Sequence, residues 1–216
     1  MSDYGVFFML KKFLLLSLML AGLTTSAQKT IEKGWEAIGI DKIQIISDQV
    51  FNIEVIAKPS DYFYVRTEID GENYENVVVD TSIKNKTLTI ATGFTPYFDA
   101  ANDKLAAHKV ISIEMFIEIP ENKEFLVSSL LASFKAQGNF KNVYTALFQG
   151  NCTLEDFEGN AQLNTRHGNI NVSAVNNVKG DAISKRGKVK NTMDTIGIYL
   201  VKAQSVNGDI SLSKSQ

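Results

Sequence analysis

Thr165-Arg166-His167-Gly168-Asn169-Ile170-Asn171-Val172 returns 40 residues later as Ser205-Val206-Asn207-Gly208-Asp209-Ile210-Ser211-Leu212. Each copy places a glycine before Asn or Asp and follows the pair with alternating apolar and polar residues. Six such pairs occur: Gly138-Asn139, Gly150-Asn151, Gly159-Asn160, Gly168-Asn169, Gly180-Asp181 and Gly208-Asp209. Glycine adopts positive φ freely and Asn or Asp tolerates the left-handed region, so each pair predicts a turn. Gly150 to Gly168 spans 18 residues, Gly168 to Gly187 19 and Gly187 to Gly208 21. A period near 20 built from two short strands predicts an all-β fold, a β-solenoid in which each rung stacks on the one before.

The apolar residues after the turns point inward in this reading: Cys152 with Leu154, Ile170 with Val172, Ile210 with Leu212. Burying one such side chain contributes roughly 1.5–3 kcal/mol, whereas fixing each backbone residue costs about 1–2 kcal/mol. An isolated rung therefore does not fold, and stability accrues through stacking.

Upstream, from Lys42 to Pro120, the pattern is strict two-residue alternation. Phe51, Ile53 and Val55 share one face; so do Phe63, Val65, Thr67 and Ile69, and again Ile111, Ile113, Met115, Ile117 and Ile119. Short connections at Ser47-Asp48-Gln49, Pro59-Ser60-Asp61 and Lys84-Asn85-Lys86 predict some antiparallel hairpins in this half. Residues 93–108 break the rhythm and predict a long loop. The chain thus divides into a strand-rich part, 28–120, and a turn-repeat part, 121–216, with the division at Pro120 to Lys123. Lys214-Ser215-Gln216 is expected to form the polar end of the stack.

Residues 1–27 read as a secretory signal: Lys11 and Lys12, the apolar run Phe13 to Leu23, and the small-residue exit Thr25-Ser26-Ala27. Asp3 and the lack of basic residues before Lys11 make Met9 a second candidate start. The signal's loss moves the net charge from −2 to −3, by removal of Lys11, Lys12 and Asp3. No basic stripe remains, which argues against nucleic acid, and no second apolar run is long enough to span a bilayer in the mature chain. The single cysteine, Cys152, excludes an intrachain disulfide and reads as an inward-facing strand residue. Export of this kind predicts a periplasmic or cell-surface protein.

Candidate chemistry is sparse. The two histidines, His108 and His167, lie outside any nucleophile-elbow context. His167 occupies a predicted turn, and His108 borders the long loop, where it is a candidate ligand contact. Glu155, Asp156 and Glu158 form one local acidic group without metal-ligand spacing, and no cofactor is expected. Within the loop, Tyr97 and Phe98 are candidate ligand-binding aromatics, with capping of the stack as the alternative. Trp35 is expected to anchor the first strand. Arg166, Lys185, Arg186 and Lys188 are the basic residues a polysaccharide-cleaving site would use, and solvated edge charge is the plainer reading.

The signal ending Ser26-Ala27-Gln28, the turns Gly168-Asn169-Ile170-Asn171 and Gly208-Asp209-Ile210-Ser211, and the alternating strands before them resemble the putative adhesin family of Bacteroidetes. That family comprises exported head GIN domain and auto-transporter-adhesin-like proteins. The resemblance covers Ile31 to the C-terminus and implies a right-handed β-helix-like stack at the envelope or cell surface; it transfers no site residue. Gly187-Lys188 and Gly197-Ile198 depart from the turn pattern. The expectation is a non-enzymatic, adhesin-like binding or scaffolding module whose partner is an envelope glycan or surface protein. A lyase-like enzyme on the same scaffold and a self-assembling envelope protein are the alternatives.

Overall fold

The computed structural model describes residues 28–71, 74–96 and 111–215. The signal-like segment and the loop candidates Tyr97, Phe98 and His108 lie outside the described residues. In chain order the strands are β1 (Gln28–Glu36), β2 (Lys42–Ile46), β3 (Val50–Lys58), β4 (Tyr62–Gly71), β5 (Val77–Lys84), β6 (Thr87–Phe94), β7 (Ile111–Pro120) and β8 (Glu124–Ser129). They continue as β9 (Ser133–Gln149), β10 (Cys152–His167), β11 (Ile170–Ala174), β12 (Val178–Ser184), β13 (Val189–Asn191), β14 (Tyr199–Ser205) and β15 (Ile210–Lys214). One 3-10 turn, Tyr74–Asn76, is the single helical element among the described residues. All 15 strands belong to one sheet, curled into an open half-barrel, so the fold is all-β as expected.

Two strips of parallel strands run through this sheet, and the long strands β9 and β10 bend so as to belong to both. The first strip keeps Ile53, Phe134, Cys152, Ile170, Ile210 and Val189 in register across β3, β9, β10, β11, β15 and β13. The second aligns Leu88, Ile43, Phe125, Val143, Ala161 and Val201 across β6, β2, β8, β9, β10 and β14, with β12 beyond. Their inner faces share one core, where Phe125 of the second strip stacks on Phe134 of the first at 5.6 Å. At the bends, Phe140 stacks on Phe157 at 5.9 Å. The inward pairs expected from alternation are buried, Cys152 and Leu154 completely.

The order of strands differs from the expected succession. β14 lies between β10 and β12, and β15 between β11 and β13, so the last segment of chain inserts behind the one that precedes it. β12 and β13 are therefore the edge, and Lys214-Ser215 does not end the stack: the Ser215 amide donates to the Ala174 carbonyl at 2.8 Å. The opposite end mirrors this, because β2 and β3 sit inside β6 and β7. There β4 and β1 add antiparallel strands beyond β7, and β5 adds one beyond β6. Lys29 and Lys33 of β1 donate to the Val77 and Val79 carbonyls of β5 at 3.1 and 2.9 Å, closing an edge that would otherwise recruit another strand. Trp35, half-buried, packs on the core opposite Phe63 as the expected anchor.

Three local expectations are corrected. A register shift between Val50 and Asn52 turns Val50 inward and leaves Phe51 exposed, because an extra residue in a strand inverts its alternation. Neither Ser47-Asp48-Gln49 nor Pro59-Ser60-Asp61 closes a hairpin, since β2 and β3 pair with other strands and β7 separates β3 from β4. The hairpin that does form, β5 to β6, turns on Asn85 and Lys86, both left-handed as a type I′ turn requires.

The third correction concerns the glycines: Gly138-Asn139, Gly159-Asn160 and Gly180-Asp181, expected as turns, lie inside β9, β10 and β12. Gly150 has positive φ, but Gly168 and Gly208 do not, although they head the two matching stretches. Their requirement is close approach: an added Cβ would stand 1.9 Å from the Gly150 carbonyl oxygen at Gly168, and 1.8 Å from the Gly168 oxygen at Gly208. Stacked corners leave no room for a side chain. The following Asn or Asp links neighbouring corners. Asn151 Oδ1 accepts from the Asn169 amide at 2.9 Å, Asn169 Oδ1 from the Asp209 amide at 2.8 Å, and Asp209 Oδ1 from the Lys188 amide at 2.7 Å.

Candidate binding groove

The outer surface of the second strip repeats with the register of its strands. Ser128, Ala146, Asn164, Gln204 and Ile183 lie side by side across β8, β9, β10, β14 and β12, one per strand. Two residues further along, where each strand enters its corner, stand Leu130, Phe148, Arg166, Val206 and Lys185. Together these rows and Asp48 line an open groove of about 890 Å³. Small and amide side chains, with Ile183 at the β12 edge, form its floor, and Leu130, Phe148, Arg166, Val206 and Lys185 form its wall. The floor continues along the strands into a second row, Gln44, Leu126, Tyr144, Gln162 and Lys202, also in register.

The wall concentrates positive charge on an aromatic. The Arg166 guanidinium carbon lies 5.1 Å from the Phe148 ring centroid, a cation–π contact that holds the guanidinium over the ring. His167 approaches the same ring edge-on at 5.5 Å. Asn207 accepts from Arg186 Nη1 at 3.3 Å, which orients its amide nitrogen toward His167 Nδ1 at 3.0 Å. An amide nitrogen only donates, so Nδ1 is the acceptor in this contact. Among the described residues neither Arg166 nor Lys185 has a salt-bridge partner, whereas Lys42, Lys58, Lys135 and Lys141 all do.

The inward hydroxyls beneath the groove hold its corners. Thr165 Oγ1 donates to the Gly150 carbonyl at 3.1 Å and Ser205 Oγ to the Gly168 carbonyl at 3.0 Å. Ser129 Oγ accepts from the Ala132 amide, and Ser184 Oγ donates to the Gly208 carbonyl. They are turn-closing groups, and Asp48 is the one carboxylate among the lining residues. What the groove offers chemically is recognition: fixed cations for anionic groups, amides for hydroxyls, and aromatic faces for C–H surfaces.

Of the residues singled out from the sequence, Arg166 and Lys185 meet in this groove, while His167 and Arg186 join it through Asn207. Lys188 belongs to the corner ladder. The acidic group is spent elsewhere: Glu155 pairs with Lys135 at 2.9 Å, and Asp156 takes positive φ where the register of β10 shifts. Among the described residues no three His, Cys, Asp or Glu side chains gather as metal ligands. Cys152 is fully buried, which pushes its thiol up to about 12 despite a hydrogen bond with Thr145. Phe148, Leu130 and Gln204 were not foreseen. A signal existed, because Phe148, Arg166, Lys185 and Val206 each stand two residues before a corner glycine.

No family model and no curated protein matches the chain. Among solved structures it is similar to a "putative cell adhesion protein" from Clostridium sporogenes, with 15% identity over 87% of this chain and 99% of that one and a TM-score of 0.62. At that identity the likeness shows the fold alone. A "putative adhesin" from Bacteroides fragilis is 15% identical over 87% of this chain and 94% of that one, with a TM-score of 0.38. A "putative lipid binding protein" from Parabacteroides distasonis is 15% identical over 88% and 98%, with a TM-score of 0.24. The chain thus shares an all-β fold with a protein named for cell adhesion, and no helix among its described residues is long and apolar enough to cross a membrane.

Proposed function

We propose that this chain is an exported, non-enzymatic, adhesin-like binding module of the cell envelope, wound as a right-handed β-solenoid that presents its ligand groove on the second strip. Parallel in-register strands, corner glycines in mutual contact and the Asn/Asp ladder support the solenoid reading. The signal-like N-terminus supports export, and the name of the Clostridium protein supports adhesion. The observation that carries the binding reading is the groove wall, where Arg166 lies over Phe148 and Lys185 stands two strands further along, neither cation having a salt-bridge partner among the described residues. The partner is an envelope or surface glycan. Tyr97, Phe98 and His108 stay proposed as additional contacts from the connection between β6 and β7.

A glycan array probed with the mature protein tests this. Binding to a defined glycan class that Phe148→Ala and Arg166→Gln both abolish, with folding unchanged, is the expected result. Binding that ignores both substitutions would remove the groove from the reading. A second reading, a lyase-like enzyme, draws on Arg166 and Lys185 lining the same groove. It requires depolymerisation at ordinary enzyme rates, lost in Lys185→Gln, and product release by chromatography separates the two.

A further inference from the structure

We infer that the groove's ligand is a linear polysaccharide with carboxylates on its repeating units, laid along the stacking direction of the strands; this rests on the groove being the binding site. The first argument is dimensional. Outward positions recur once per strand, about 4.8 Å apart, whereas an extended peptide rises only 3.2–3.4 Å per residue and repeats each face at roughly twice that. A sugar unit in an extended 1,4-linked chain is about one strand spacing long, so successive units meet corresponding positions on successive strands. A peptide drifts out of step within a few residues.

The second argument is charge. Arg166 and Lys185 face the groove without carboxylate partners, Lys202 stands in the adjoining row, and Asp48 lies at the far end, in the corner after β2. On the first strip Lys135 lies between Glu54 and Glu155, and Lys58 pairs with Glu118 at 2.7 Å; Lys84, Lys179 and Lys190 also lack salt-bridge partners among the described residues, but they stand outside the groove. Unpaired cations in one row, one of them held over an aromatic ring, suit anionic groups on a polymer whose C–H faces rest on Phe148. Gln204 and Ser128, exposed on the floor, suit its hydroxyls.

The third argument is length. Five strands line the groove, so it accommodates about five units at one per strand.

The test is calorimetry on the mature protein with uronic-acid oligomers of two to eight units, from polygalacturonate, alginate and hyaluronate, each beside its methyl ester. The acid form of at least one series should bind at least about tenfold more tightly than its ester, with affinity rising to about five units and then levelling. Arg166→Gln and Lys185→Gln should each weaken the acid form about tenfold and leave the ester unchanged. Lys58→Gln, on the other strip, should change neither. Esters that bind as tightly as acids would overturn the inference and leave groove binding intact. Tighter binding of a sulfated polymer would reassign the anionic group, and equal binding of polyglutamate would reassign the polymer. If no glycan of any charge binds, inference and proposed function fail together.

Discussion

Asn169 Oδ1 accepts a hydrogen bond from the backbone amide of Asp209 at 2.8 Å, across 40 residues of sequence. The bond joins two corners that touch only because the final segment of chain slots in behind β12 and β13. Lys188, nearer to Asn169 in sequence, lies one corner further out, its amide bound to Asp209. A stack assembled in sequence order would have paired Asn169 with Lys188 directly.

That threading makes the outermost strands depend on the last ones. Among the described residues β14 is the one strand paired with β12, apart from an isolated bridge from Lys179 to Asp194, and β15 the one strand paired with β13. A chain ending at Ile198 should therefore lose hydrogen-exchange protection over residues 178–191, while β9 and β10 keep theirs. Persistent protection of 178–191 in the truncated chain would contradict the insertion.

Gly168 and Gly93 should respond oppositely to alanine. At Gly168 the new Cβ meets backbone that cannot move aside, and destabilisation of about 3 kcal/mol or more is expected. At Gly93 nothing lies within 4 Å, so alanine should be neutral or stabilise by up to about 1 kcal/mol. Urea denaturation of both variants decides this.

Thr67 is buried in the core with its hydroxyl unsatisfied. Valine keeps the shape and removes the stranded polar atom, so Thr67→Val should raise stability by about 1 kcal/mol, read as a higher denaturation midpoint with an unchanged slope.

Cys152 is buried between Phe134 and Ile170, and burial holds its thiol protonated to about pH 12. Aromatic disulfide reagents at pH 8 should modify it only as fast as the protein unfolds. Rapid labelling of native protein, unaffected by stabilising conditions, would show that the core opens locally.

Glu124 supplies a pH dependence. Burial would raise its carboxyl, but hydrogen bonds from Lys141, Asn142 and Lys42 outweigh that and hold it below the usual 4.5. The carboxylate's contribution is fully present above that value and is lost as pH falls through the lower, folded-state one. The Tm difference between wild type and Glu124→Gln should be largest near pH 7 and shrink below about pH 4.5.

Strand positions were legible along the chain because alternation is local: Phe63, Val65, Thr67 and Ile69 declare one buried face by their spacing alone. Phe51 misled because a single inserted residue inverts that spacing and leaves no mark on composition. Gly150-Asn151, Gly168-Asn169 and Gly208-Asp209 were legible as corners, although at Gly168 and Gly208 the cause is backbone contact between neighbouring strands rather than left-handed φ; Gly138-Asn139, Gly159-Asn160 and Gly180-Asp181 misled, because they sit inside β9, β10 and β12. Arg166 and Lys185 stood out as basic residues beside glycines. Their shared groove with Phe148 did not, since it depends on which corners stack.

The amino-acid order alone determined that this chain is all-β, with corners at Gly150, Gly168 and Gly208 and an interior of alternating Ile, Val, Phe and Leu, because side-chain direction in a strand follows from position modulo two. Only the tertiary structure decided that the last two strands insert inward, that Lys29 and Lys33 close the β5 edge, and that Phe148, Arg166 and Lys185 line one groove. Those relations are set by hydrogen bonds and contacts between segments tens of residues apart, for which a repeating sequence offers several near-equivalent pairings, and packing of the whole core selects one.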